Sequence, residues 1–529
     1  MSYDTLIKIL DLFFHPERKV LQTTCSFPRN NDDAYGEEGR LKRSTTMEHE
    51  DGVNNNHSGD GLEEVKLMKK MVLIETITSR CVSSSHEILQ KINRAITDSG
   101  DGSKLDATVL CGGATNFSYK VYVDKHPELC VFAKLCFEYA LWNPDRTSHY
   151  DLKRVENEYQ IMKEVSSKTE GCVVSPLACW DVKHEGENMK LFLSEWSNSD
   201  EQFCNQFIDG VVDPRIAPKI ADTFATLNII KDFDPDFNEL VKPCVESLYE
   251  HMKIFARAAS QTKDPGDRTA AYCASLGEDV MMKIIDASLA NYHQRDCLIH
   301  GDSHVFNILV EPKPSIEELE DFGPNGSVVV CDWEMAIAGP IGRDIGLALT
   351  FPIGCMIAHS MKGQWEAKQS IEVYINSLLD TYCSRMVEAG KTAKEMANIL
   401  RNIVGECGWF MFLPFYILYV HDTFPVDAEN KSHHHDALGI LGLKLMRIAY
   451  DAEYIPDSAG ADEIRGLFDS LRGEEVDKAQ QLFASRGRKM QSRKSSMLRA
   501  MNRRLSDSQM LYAAYESMRK LSISGSIKE

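Results

Sequence analysis

Between residues 298 and 334 the chain spaces its polar side chains in a way that few folds can use. Leu298-Ile299-His300-Gly301-Asp302 carries an apolar run into a turn, and Asn307 follows Asp302 by five positions. The β-branched run Val328-Val329-Val330-Cys331 then delivers Asp332-Trp333-Glu334. Two acidic positions about thirty residues apart, with an Asn between them, are what phosphoryl transfer from a nucleotide requires. One carboxylate orients and deprotonates an acceptor hydroxyl, while the Asn and the second carboxylate hold Mg²⁺ against the phosphates. Asp302 is therefore the candidate base, and Asn307 and Asp332 are the candidate metal ligands. Carboxylate and amide oxygens suit that hard cation. The plain alternative for Asp302 is a loop Asp that caps the next helix.

The region before this motif reads as strands around one helix. Thr108-Val109-Leu110 leads to Gly112-Gly113, and Tyr119–Val123 and Cys130–Leu135 follow. Residues 151–165 have the spacing of an amphipathic helix, and Lys190–Ser194 reads as another strand. In Gly112-Gly113-Ala114-Thr115-Asn116-Phe117-Ser118, glycines would let successive N–H groups approach a phosphate. No G-x-x-x-x-G-K-[ST] occurs, so a P-loop is unsupported. Lys134 lies on a strand, where an ammonium is costly unless paired. Glu156 and Glu158 are its possible partners; two residues apart on a helix, they face different directions, so one of them should pair.

HGDSHVFNIL followed by VCDWEMAIAGPIGRDIG resembles the aminoglycoside phosphotransferase/choline kinase group of small-molecule kinases. The extension Gly339-Pro340-x-Gly342-x-Asp344-Ile345-Gly346 resembles methylthioribose kinases most, and the resemblance spans roughly residues 105–450. It implies an α+β, two-lobed, protein-kinase-like fold with a β-rich N-lobe and a helix-rich C-lobe. It implies ATP and Mg²⁺ as cofactors and a small-molecule alcohol as acceptor. Asp302 would meet the acceptor hydroxyl. Asn307, Asp332 and Glu334 would form the metal side. Gly112, Gly113, Asn116 and Ser118 would form the nucleotide loop, with Lys134 and Glu158 on the phosphates. Glu195 and Trp196 match the hinge that faces adenine. Asp344 matches a residue that supports the loop rather than reacts. His304, Arg343 and Arg401 stand on the substrate side.

The acceptor is less well marked. Ser303 stands where methylthioribose kinases commonly carry Leu, Trp333 stands where they usually carry Pro, and of a paired-arginine segment only Arg401 is present. Choline or ethanolamine is the second reading, and a nucleotide-binding pseudokinase scaffold is the rival from another class. Trp409, Phe410, Phe412, Phe415, Tyr416 and Tyr419 could cage a quaternary ammonium but read mainly as a core helix. His433-His434-His435 reads as the surface start of a helix over 436–448, since adjacent helical residues point about 100° apart and converge poorly on a metal.

The 529 residues carry a net charge of −20, which opposes a general nucleic-acid binder. Fifteen cysteines, with no C-x-x-C pair, fit neither a zinc ribbon nor a disulfide framework and suggest a reducing, cytoplasmic compartment. No uninterrupted apolar stretch reaches the ~18–20 residues of a membrane span. We expect a polar tail over 1–64, an N-lobe with a leading helix over 65–200, a helical C-lobe over 201–457 and a separate extension over 458–529. In the leading helix Leu67, Met71 and Ile74, then Ile88, Ile92 and Ile96, mark the buried stripe. The extension has eight Lys or Arg and no acid between Arg486 and Arg504, with Met and Leu interleaved. Such a basic amphipathic segment can bind calmodulin or anionic lipid. Serines after basic pairs, at Ser495, Ser506 and Ser522, are phosphorylation candidates. A homodimer is the expected assembly.

Overall fold

The computed structural model describes residues 59–504 except 99, 101, 111–115, 139–150, 170, 198, 200, 262–266, 312–326 and 414–422. Gly112, Gly113, Phe415, Tyr416, Tyr419, Ser506, Ser522 and residues 1–58 of the polar tail therefore lie outside the described residues, as do the side chains of 59–67 and 486–504, while residues 59–64, expected in the tail, are helical.

Two helices, α1 (Gly59–Cys81) and α2 (Glu87–Thr97), precede the strands β1 (Leu105–Leu110), β2 (Phe117–Val123) and β3 (His126–Phe137). Helix α3 (Lys153–Ser166) and strands β4 (Pro176–His184) and β5 (Glu187–Glu195) complete the N-lobe. Among the described residues this lobe holds a five-stranded antiparallel sheet in the order β1-β2-β3-β5-β4. Period-two alternation sets its buried face: Tyr119, Val121 and Val123 point inward from β2, as do Val131, Ala133 and Leu135 from β3. Strand β3 is central, and Ser118 of β2 lies directly opposite its Lys134. Strand β4 is absent from the sequence reading. It opens on Pro, which a strand accepts at its first residue, and Trp180-Asp181-Val182-Lys183 offers little apolar signal.

The leading helix is present, but its buried stripe is shifted. Leu73, Ile77 and Cys81 face the sheet, while Met71 is 65% exposed. Lys69 explains the shift: its Nζ lies over the Phe137 ring and reaches Glu187 at 2.7 Å, so a charged residue occupies the inner face. In α2, Ile92 is buried together with Leu89.

The C-lobe begins with β6 (Glu201–Gln202) and α4 (Cys204–Asp209), α5 (Ile216–Asn228), α6 (Lys242–Ser260), α7 (Arg268–Leu276) and α8 (Glu278–Tyr292). Strands β7 (Cys297–Ile299), β8 (Ile308–Val310), β9 (Val328–Val330) and β10 (Ile337–Gly339) carry the motif region. They pair as β6-β8-β9 and β7-β10. Helices α9 (Arg343–Met361), α10 (Trp365–Glu388), α11 (Ala393–Phe412), α12 (Lys431–Tyr450) and α13 (Ala461–Arg504) follow. The apolar side chains form two clusters, one centred on the N-lobe sheet and one on the C-lobe helices. Val155, Ile161 and Met162 of α3 belong to the second cluster, so this helix spans the two lobes.

Helix α9 is long and apolar enough to cross a membrane, yet it is buried on every side by other helices. The segment after 457 is not a separate appendage in its first half. Ile464, Phe468, Leu471 and Val476 of α13 are buried in the main cluster, against α9 and α11.

The three histidines do not all lie on the surface, because α12 already starts at Lys431. His433 is exposed; His434 is fully buried and its Nε2 donates to the Gly354 carbonyl at 2.9 Å. Burial holds the His434 pKa down at about 4. The unfolded chain binds a proton near pH 6.5 and the folded chain does not. This stability is therefore complete above pH 6.5 and lost as pH falls towards 4, up to about 3 kcal/mol. Urea titrations of His434→Gln should show a flatter acid branch between those limits than wild type; identical branches would assign the acid loss to other groups.

Candidate active site

Lys134 is the electrostatic hub of the site. Its Nζ lies 3.1 Å from Glu158 Oε2, 2.6 Å from Asp332 Oδ1 and 3.3 Å from Glu334 Oε2. Burial works against its charge, but Asp332, Glu158 and Glu334 together hold its pKa well above the ordinary value. Glu156, two residues from Glu158, faces away and pairs with Lys190 at 2.6 Å. Burial pushes the Glu158 carboxyl up to about 7 against the pull of Lys134. Burial and the neighbouring Glu334 raise Asp332, with Lys134 opposing.

Glu334 was expected on the metal, but its carboxylate is committed inward. It is 8% exposed and meets Lys134, Arg154 Nε at 3.5 Å and Asn116 Nδ2 at 3.2 Å. Burial acts to raise its pKa, and these cations hold it below the usual range. Asp332 keeps a more open side chain, 39% exposed. It also has φ +65 and ψ 59, a left-handed conformation that a non-glycine residue adopts at a cost of order 1–3 kcal/mol. Such a cost at the end of a buried strand marks a residue whose carboxylate direction matters. The oxygen donors of Asp332 and Asn307 fit a hard divalent cation.

The Asp302 turn is built from backbone amides. Asp344 Oδ2 accepts from the His300 amide at 2.8 Å and its Oδ1 from the Gly301 amide at 3.0 Å. Ser303 Oγ donates to the Asp344 carbonyl at 2.8 Å. Gly301 has φ +81, and a Cβ there would stand 2.4 Å from the Met335 carbonyl oxygen. His300 is fully buried and its Nε2 donates to the Cys331 carbonyl at 3.0 Å, tying the Asp302 turn to the Asp332 turn. Asn307 Nδ2 donates to Asp302 Oδ2 at 3.1 Å, and the Cys331 amide donates to the Asn307 carbonyl at 2.9 Å. These bonds bring Asp302, Asn307 and Asp332 to one edge of the interlobe region.

His304 Nε2 lies 3.3 Å from Asp302 Oδ1, and its ring stacks on Phe410 at 6.3 Å and meets Phe306 edge-on. Burial lowers the His304 pKa, but Asp302 raises it above its ordinary value. Burial likewise opposes the Asp302 charge, and His304, His300 and the Asn307 amide hold its carboxyl far below the usual range. Asp302 is therefore ionised, beside an aromatic wall.

Two substrate-side candidates are not brought to this edge. Arg343 is 1% exposed, donates to Glu406 and lies over the rings of Tyr292 and Trp409. Arg401 gives its Nη1 to the Ile448 carbonyl at 2.9 Å and its Nη2 to the Pro456 carbonyl. Arg401 is held inside the C-lobe by these carbonyls and Arg343 by Glu406 and the two rings, although Arg343 Nε is buried without a hydrogen-bond partner. Trp409 is likewise no free wall for an ammonium, because the Arg343 guanidinium already covers it. Of the two hinge candidates, Glu195 ends β5 and Trp196 lies under Lys120 at 4.3 Å.

Two further residues complete the site without a sequence signal. Arg154 binds Glu334, Asn116 Oδ1 and the Phe137 carbonyl from the first turn of α3, a place where an Arg ordinarily faces water. Asn238, at φ +56, donates to the carbonyls of Glu334 at 3.1 Å and Ala336 at 2.7 Å and accepts from Asn157. It sits about a hundred residues upstream in a connecting segment, and no spacing links it to Glu334.

No family model matches the chain, and no curated protein sequence does. Among solved structures, a glucosamine kinase in complex with glucosamine, ADP and inorganic phosphate is similar at 11% identity and a TM-score of 0.32, over 69% of this chain and 79% of its own. The aminoglycoside phosphotransferase APH(3'')-Id from Streptomyces rimosus is similar at 12% identity and a TM-score of 0.27, over 58% of this chain and 99% of its own. An aminoglycoside-3'-phosphotransferase of type VIII is similar at 12% identity and a TM-score of 0.25, over 57% and 99%.

Proposed function

We propose that this chain is a small-molecule kinase that transfers the γ-phosphoryl group of ATP to a hydroxyl of a metabolite in a reducing, cytoplasmic compartment. The observation that carries the reading is the Lys134 hub, which joins Glu158 of α3 and Asp332 beyond β9 within 3.1 Å. A fold gains little from burying one ammonium among three carboxylates, since the desolvation cost offsets the attraction. A phosphoryl-transfer site needs that arrangement, with a lysine poised for the nucleotide and a carboxylate poised for its metal.

Asp302 orients the acceptor hydroxyl and takes its proton as the acceptor O–P bond forms and the bond from the γ-phosphorus to the β–γ bridging oxygen breaks, ADP leaving. Lys134, held by Glu158, grips the phosphates. Asp332 and Asn307 would hold Mg²⁺, which supplies charge neutralisation on the phosphate oxygens when bound. The aromatic wall of Phe306, Phe410 and His304 suits an acceptor with an apolar face. A sugar thioether such as methylthioribose has one, and its sulfur packs well on aromatic edges. Choline and ethanolamine rank second, because Arg343 already lies over Trp409, one of the rings that could cage an ammonium.

The test is ADP release from MgATP across methylthioribose, choline, ethanolamine, homoserine and aminosugars. Turnover that depends on one acceptor supports the reading and names the substrate. Tight nucleotide binding with no acceptor-dependent turnover would move the assignment to a nucleotide-binding scaffold.

A further inference from the structure

Two neighbouring side chains at the start of α9 turn in opposite directions. Asp344 turns to the Asp302 loop and accepts from the amides of His300 and Gly301. Arg343 turns into the helical core and donates to Glu406 of α11. Its guanidinium lies 4.9 Å from the Tyr292 ring centroid and 4.7 Å from that of Trp409. Glu406 is fully buried and accepts also from Asn291 Nδ2 at 3.2 Å and Tyr450 Oη at 3.4 Å. One turn along α9, a Cβ on Gly346 would stand 2.6 Å from the Ile403 carbonyl oxygen and 2.8 Å from Glu406 Cβ, so the two helices touch closely.

For packing alone this is a poor choice of residues. The first turn of a helix carries partial positive charge, which disfavours a cation. Apolar side chains of similar volume often replace a buried ion pair at no cost in stability. An apolar contact, however, tolerates rotation and sliding. A planar guanidinium that lies over two rings while its Nη1 donates to a carboxylate has far fewer arrangements. Asp344 is covalently next to it, so the setting of Arg343 sets the setting of Asp344.

We propose that the Arg343–Glu406 pair is a register pin. It fixes the rotation and axial position of the α9 start against α11, and through Asp344 it positions the loop that presents Asp302. Arg343 and Glu406 are positioning residues and touch no substrate. The catalytic half of this inference rests on the kinase reading; the structural half does not.

The test combines kinetics with hydrogen exchange on the full chain. Glu406→Gln keeps the shape and removes the charge. It should lower kcat by up to about 100-fold, as a misplacement near 1 Å can, and leave the KM for MgATP unchanged. In the absence of any substrate, amides of residues 298–304 should exchange faster while those of α11 and α12 hold. The double variant R343M/E406L should recover the thermal midpoint of wild type but neither kcat nor slow loop exchange. Recovery of loop exchange and kcat along with the midpoint would reduce the pair to a packing contact and overturn the proposal. Unchanged loop exchange in Glu406→Gln would do the same, and Arg343→Lys, which keeps the charge but loses the planar fork, gives the same decision if Glu406→Gln does not fold. If the wild type phosphorylates no acceptor, the kinase reading fails and the exchange measurements still decide on the pin.

Discussion

Asp302→Asn is expected to cut kcat by roughly two to four orders of magnitude, the span of a positioned general base. Nucleotide affinity should stay near wild type, because Asp302 contacts neither Lys134 nor Glu158. The Asn keeps the shape and can still meet the Asn307 amide, so the fold and the loop should persist. His304 adds a second readout. Asp302 raises the His304 pKa above its ordinary value, after burial has lowered it. Loss of the carboxylate should bring the His304 titration down, which histidine ring NMR would record. Nearly full activity in the variant would remove Asp302 from the reaction, and an unmoved His304 titration would show that the two side chains are uncoupled.

Lys134→Met is expected to have the largest combined effect. It removes the proposed phosphate grip, and it leaves Glu158, Glu334 and Asp332 without their common cation. Breaking a buried ion pair from one side costs about 3–5 kcal/mol. The loss should depend on pH with a definite sign. Glu158 is already pushed up to about 7 in the folded chain, and without Lys134 it rises further. Its unfolded value is about 4.3, so the folded variant binds protons that the unfolded chain releases. Stability of the variant then falls as pH rises from about 4.3 to beyond 7, and since wild type falls in the same way only up to about 7, the gap between them widens above 7. Denaturant midpoints of wild type and variant should be closer at pH 5 than at pH 8. A gap independent of pH would mean that the carboxylates remain compensated by other groups such as Arg154.

Much of this architecture was legible because it rests on short-range rules. Alternating apolar residues mark β2 and β3, and the two-residue offset between Glu156 and Glu158 leads them to different lysines, as helical geometry requires. The Asp302–Asn307 spacing is readable because five residues suffice to turn the chain back on itself. What was not legible depends on long-range burial. Arg343 and Arg401 look like cations available to a substrate until the helices that enclose them are known. Asn238 and Arg154 serve Glu334 from distant segments, and nothing local sets them apart. Strand β4 and the packed half of α13 were missed for a related reason. Their polar residues are paired or half-buried, so composition there imitates a surface.

Helix α9 has a consequence for how the chain is made. Its nineteen residues are all buried, and part of their cover comes from α13, more than a hundred residues later. At about 5–20 residues per second, α9 leaves the ribosome on the order of ten seconds before that cover exists. During that interval it presents the apolar length of a membrane span to its surroundings. Holding chaperones, or membrane-targeting factors that recognise such stretches, have time to engage it. A chain ended near residue 457 would keep Lys134, Asp302, Asn307 and Asp332 yet leave this helix permanently short of its cover.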